Sequence, residues 1–183
     1  MEGGSAIPHG SPRAHTAHID TCFLRPILLN KDSDKDRLRA ARKLVHSVNA
    51  VAACASVGVL GEIWIKADSE KSGNPIPAED LATMSQEFVE LLRRGKLVVC
   101  GLGRGEDSSG FFEVAREIRE ANTNIGDMDV VILASALNCP DCEEFYTNDS
   151  PILNSTTLRR VAEKYRVRIQ DPTTSVSAKP RHS

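Results

Sequence analysis

The sequence predicts an α/β fold with a mostly parallel sheet and helices on both faces. Short apolar runs alternate with helical segments of ten or more residues, the signature of βαβ units. With 183 residues, the chain suits one domain that buries roughly two-thirds of its unfolded surface. Its 40% hydrophobic and 26% charged content is ordinary for a globular protein.

The elements follow in order. Residues 1–17, rich in Gly, Pro, Ser and His, read as a flexible extension outside a domain spanning 18–170, with a second flexible tail over 171–183. His18-Ile-Asp-Thr-Cys-Phe-Leu24 reads as a first strand ending near Asp20. Residues 31–48 place Leu38, Ala41, Leu44, Val45 and Val48 at helical spacings. Residues 51–55 form a buried strand, and Ser56 is the expected N-cap of a helix running to about Ser69. A loop over 69–75 leads to Pro77, expected as the first residue of a helix that Gly95 closes. Residues 96–100 read as a short strand or a loop. A Gly-rich turn over 101–105 precedes a helix from about Asp107 to Asn122, and a second helix follows over 127–138. Residues 145–147 form a strand, Ser155 caps a helix to Tyr165, and residues 167–169 complete the sheet. The sequence contains no internal repeat.

Composition narrows the function classes. A net charge of −2 and a pI near 6.2 give no bulk attraction to nucleic acid or anionic membrane, so a polyanionic partner needs a local patch or a metal. The uncharged stretch 44–61, apart from its final glycine's neighbour Glu62, contains His46, Ser47, Asn49 and Ser56, so no membrane span is expected. Five irregularly spaced cysteines fit a reducing compartment better than a disulfide framework, which makes the cytoplasm the expected location. Cys100-Gly-Leu-Gly-Arg-Gly-Glu-Asp107 fails the dinucleotide fingerprint because Glu106 stands where its third glycine belongs. Cys139-Pro-Asp-Cys142 has the spacing of a zinc half-site or redox motif but follows a helix, with buried thiols or a local disulfide as alternatives. Of five histidines, three precede or open the domain and one lies in the tail, leaving His46 as the core histidine. P-loop, GxSxG, HExxH and EF-hand patterns are absent.

The acids carry the chemistry. Asp127 and Asp129 sit in the first turn of a helix, where one acid suffices to complement the orphan N–H groups. Glu62 is the only charged residue between Lys43 and Lys66 and lies too deep in its helix for capping. An apolar environment there requires a metal, an Arg or a hydrogen-bonding shell. Asp20 ends a strand, and Asp149 in Thr147-Asn-Asp-Ser-Pro151 has an Asx-turn as its alternative. In a parallel sheet, strand carboxyl ends and helix amino ends share one edge, so these acids are expected to converge. A cation would relieve their repulsion, and hard oxygen ligands suit Mg²⁺ or Mn²⁺.

The pattern Ile19-Asp20-Thr21, Ser56 with Glu62, Asp129-Val-Val-Ile-Leu-Ala-Ser-Ala-Leu137 and Thr147-Asn-Asp149 resembles the PIN domain. This resemblance, from His18 to Ile169, implies a three-layer α/β/α sandwich and a VapC-like metal-dependent ribonuclease acting on single-stranded RNA. It assigns catalysis and metal binding to Asp20, Glu62, Asp129 and Asp149, with Thr147 and Asn148 in support and Asp127 as an alternative to Asp129. It also implies a homodimer and either a toxin with an antitoxin partner or a role in RNA processing. The alternative is an inactive PIN-like subunit that binds or scaffolds within an RNA-processing assembly. Basic residues at Lys35, Arg37, Arg39, Arg42 and Lys43, or Arg93, Arg94 and Lys96, are either phosphate contacts or solvated helix faces.

Overall fold

The computed structural model describes residues 16–29, 34–46, 53–68, 76–101 and 109–173. Strands β1 (Thr16–Ile19), β2 (Ala53–Ser56), β3 (Leu97–Cys100), β4 (Cys142–Tyr146) and β5 (Arg168–Gln170) form a sheet in the order β3-β2-β1-β4-β5. All four pairings are parallel. The described helices are α1 (Thr21–Leu29), α2 (Lys35–His46), α3 (Val57–Asp68), α4 (Ala78–Arg93), α5 (Ser109–Ala121), α6 (Asp127–Leu137), α7 (Ser150–Leu153) and α8 (Thr156–Lys164). They complete the three-layer α/β/α sandwich: α1 packs against α2, α3 and α4, whereas α5 packs against α6 and α8. No described helix is long and apolar enough to cross a membrane.

The chain runs outward from β1 through β2 to β3 and then returns to the other side of β1 as β4 and β5. Its direction therefore reverses between β1 and β4, and a crevice opens at the carboxyl ends of strands at such a switch point. Hydrogen bonds extend this junction past the strands, with Asp20 N donating to Tyr146 O and Thr147 N donating to Gln170 O. The core beneath includes Phe23, Leu24, Ile132, Leu133, Phe145 and Leu158, all fully buried. Along α6 every residue from Ile132 to Leu137 is buried, so its apolar run lies inside the protein on all sides.

Several elements differ from the sequence reading. The first strand ends at Ile19, beside Asp20 as expected, but an unexpected helix follows it directly: Asp20 O accepts from Phe23 N and Leu24 N, which starts α1, and Pro26 lies inside that helix. Pro77 is the residue before α4, not its first; its carbonyl accepts from Asp80 N and Leu81 N. Strand β4 begins at Cys142, and the single-turn helix α7 follows Asp149. Cys54 and Cys100 are bonded to each other, whereas Cys22, Cys139 and Cys142 are free. His18, which the sequence reading sets outside the core, is buried in β1 at 2% exposure. The expected loop at 69–75 and most of the Gly-rich turn lie outside the described residues, as do residues 1–15 and 174–183.

Candidate active site

Asp20 is the centre of the site because β1 ends beneath it and α1 begins above it. Its Oδ1 accepts from Thr21 N at 2.6 Å, and its Oδ2 accepts from Thr147 Oγ1 at 2.6 Å and from Cys22 Sγ at 3.5 Å. The residue is only 5% exposed. Burial raises the pKa of its carboxyl above the ordinary value and the nearby Glu62 charge adds to this, while the bonds from Thr147, Thr21 and Cys22 oppose the rise. None of these groups is basic.

Glu62 reaches Asp20 through Thr21. Helix α3 starts at the end of β2, where Ser56 Oγ accepts from Val59 N at 3.3 Å, fulfilling the expected cap. Glu62 lies on the second turn, and its Oε2 accepts from Thr21 Oγ1 at 2.5 Å. Thr21 thus serves both acids, its backbone N–H on Asp20 and its hydroxyl on Glu62.

On the other side of the switch point, Thr147 joins Asp20 to Asp149. Its fully buried hydroxyl donates to Asp20 and accepts from Asp149 N at 3.0 Å. Asp149 Oδ1 accepts from Ile152 N at 3.1 Å and thereby caps α7. The local-turn alternative is thus realised as a helix cap, which uses one of the two carboxylate oxygens. Asn148 contributes its backbone N–H to Cys22 Sγ at 3.4 Å.

Asp129 and Asp127 separate on the first turn of α6. Gly58, in the first turn of α3, lies so close to α6 that an added Cβ would stand 3.1 Å from Val131 Cγ1, which places the start of α6 at the same edge of the sheet. The Asp129 carboxylate turns back over Gly126, where an added Cβ would meet its Oδ2 at 2.7 Å. Asp127 is 99% exposed and pairs with Arg119. The structure thus joins Asp20, Glu62, Thr147 and Asp149 by hydrogen bonds and charge, sets Asp129 on the same edge and turns Asp127 to solvent.

Two participants were missed in the sequence. Thr21 and Cys22 follow the strand-ending Asp20 directly, and the helix α1 that folds them over the acid had no counterpart in the sequence reading. Among the basic candidates, Arg39 pairs with Asp36, and Arg93 and Arg94 both pair with Glu90, as befits solvated helix faces.

No family model matches the chain, and no curated protein matches it. Among solved structures it is similar to a chain in the crystal structure of VapBC2 from Rickettsia felis bound to a DNA fragment from their promoter. The TM-score is 0.51 at 13% identity, over 85% of this chain and 98% of that chain. The likeness is one of fold, and it agrees with a PIN-like sandwich.

Proposed function

We propose that the protein is a Mg²⁺- or Mn²⁺-dependent endoribonuclease that hydrolyses phosphodiester bonds in single-stranded RNA. The observation carrying this reading is the buried Asp20 carboxylate, set at the switch point beside Glu62 and linked through Thr147 to Asp149. Like charges brought together with little water are tolerated when a cation bridges them, and the oxygen donors suit a hard divalent ion. Asp20, Asp129 and Asp149 hold the ion in this scheme, with Asp129 rotating away from Gly126. Such an ion lowers the pKa of a water and offsets charge on the scissile phosphate. Glu62, fixed by Thr21, orients the attacking water or completes a second ion site. Thr147 keeps the Asp20 carboxylate aimed and favours its ionised form, and Asn148 fixes the turn between them.

The structurally similar chain comes from VapBC2, which supports a protein partner of the antitoxin type and a place among toxin-like nucleases. An apolar groove lined by Leu28, Leu60, Ile63, Trp64, Met84 and Phe88 offers such a partner a surface. A homodimer and a cytoplasmic location complete the proposal.

Cleavage of a labelled single-stranded RNA tests it with Mn²⁺, with EDTA, and with Asp20→Asn. Cleavage with Mn²⁺ that falls to background in the other two arms is expected. Metal-independent cleavage, or full activity of the variant, defeats the assignment. RNA retained without cleavage in every arm identifies a scaffold subunit instead.

A further inference from the structure

A second cluster of ligand atoms lies on β1, two residues before Asp20, and its chemistry differs from that of the acids. A ring nitrogen of His18, Cys100 Sγ and Cys139 Sγ lie within 4.8 Å of one another. His18 comes from the middle of the sheet, Cys100 from the end of β3, and Cys139 from the turn after α6. Cys54, on β2 directly beside His18, is bonded to Cys100, and reduction frees its sulfur to serve as a fourth ligand. His18 is 2% exposed, and its Nε2 is buried with no hydrogen-bond partner. Leaving such a buried polar atom unpaired is costly, and a metal would satisfy it. The cluster holds two sulfurs and one imidazole close enough to share one ion, and a third sulfur, that of Cys54, is bonded to one of them.

We propose that His18, Cys54, Cys100 and Cys139 form a Cys₃His site for Zn²⁺ when the Cys54–Cys100 bond is reduced. The site ties β1, β2 and β3 to the end of α6, beneath the acidic edge. Cys142 stands outside it, because its thiol donates to Glu144 O at 3.4 Å. Soft thiolates with one imidazole and no carboxylate select Zn²⁺ over the hard ions suited to the acids. Formation balances in two steps. A phosphine reductant takes the oxygen of one water to become its oxide, and the disulfide becomes two thiols. The ion then displaces the protons of Cys54, Cys100 and Cys139, which pass to buffer. Exchange of Cys54 and Cys100 with a small-molecule disulfide, which leaves as two thiols, re-forms their bond and removes two ligands, so the disulfide and the metal site are alternative states of the same atoms.

The test uses the full chain, reduced with tris(2-carboxyethyl)phosphine and titrated with Co²⁺ as a spectroscopic probe, then with Zn²⁺. Tetrahedral cobalt bands with sulfur-to-cobalt charge transfer are expected at one equivalent, with Zn²⁺ displacing them. Cys139→Ser and Cys100→Ser should lose the charge-transfer signal, whereas Cys142→Ser and Asp20→Asn should retain it. The half-exposed Cys139 makes its serine variant the one expected to fold, which circular dichroism checks. Absence of sulfur-to-cobalt charge transfer in the reduced parent chain overturns the site. So does a signal that survives Cys139→Ser or disappears with Cys142→Ser.

Discussion

Thr147 shows how one hydroxyl ties the carboxylate of one acid to the backbone of another. It donates to Asp20 and accepts from Asp149 N, with no exposure to water. Thr147→Val keeps the shape but strands the Asp149 N–H and removes a donor from Asp20. Equilibrium unfolding in urea should show a loss of about 1–3 kcal/mol, and Thr147→Ser should restore most of it. Asp20 itself works against stability in the metal-free chain, since burial and the Glu62 charge both disfavour its ionised form. Asp20→Asn should therefore raise the melting temperature in EDTA while abolishing cleavage, as expected where a functional group is held in a costly state. The sign with pH follows from a folded-state pKa that lies above the unfolded one. The penalty is full above the raised pKa and fades as pH falls through it, so the advantage of the variant should shrink on acidification. An equal advantage at acid and neutral pH would contradict this account. The acids themselves were legible in the sequence because a charge inside an apolar stretch demands a partner, as Glu62 did. Thr21 and His18 were not legible, since their importance depends on which strand ends beside them.

At the scale of elements, the helices with a cap, an acidic first turn or an amphipathic face were legible, and α1 and α7 were not. Ser56 and Ser155 cap α3 and α8 as the sequence suggests, Ser155 Oγ accepting from Leu158 N at 3.2 Å. Helix α1 was hidden because its run Thr-Cys-Phe-Leu-Arg-Pro-Ile-Leu-Leu has no polar face and includes a proline, so periodicity could not separate helix from buried strand. Helix α7 has four residues, too few for any period to emerge. The two glycines of α3 give a test of how tightly that helix is held. At Gly61 an added Cβ meets nothing within 4 Å, whereas at Gly58 it comes within 3.1 Å of Val131 Cγ1. Gly61→Ala should stabilise the protein by about 0.4–1 kcal/mol by narrowing the unfolded ensemble. Gly58→Ala should gain less or lose stability, because α6 must yield and carry Asp129 with it. Thermal unfolding of both variants decides this, and equal gains would mean that α3 and α6 are not in contact at this point.

For the whole molecule, the order of the strands does what no single motif can. It places Asp20 and Thr147 on neighbouring strand ends although they are 127 positions apart in sequence. On the proposed function, the repulsion gathered there would be relieved by a cation, and an ion that binds only the folded chain stabilises it by mass action. At a free Mn²⁺ concentration of one hundred times Kd, the gain is about 2.7 kcal/mol. At roughly 2–4 °C per kcal/mol for a protein of this size, the melting temperature should rise by about 5–10 °C. The measurement belongs in the Cys139→Ser background, where the sulfur site contributes nothing. Mg²⁺ should act in the same direction, and Asp20→Asn should abolish the rise because it removes the ligand shared by both halves of the site. A thermal shift that persists in Asp20→Asn would place the ion elsewhere. No shift in the parent background, at Mn²⁺ concentrations that support cleavage, would mean that the acids meet the ion only once RNA is bound.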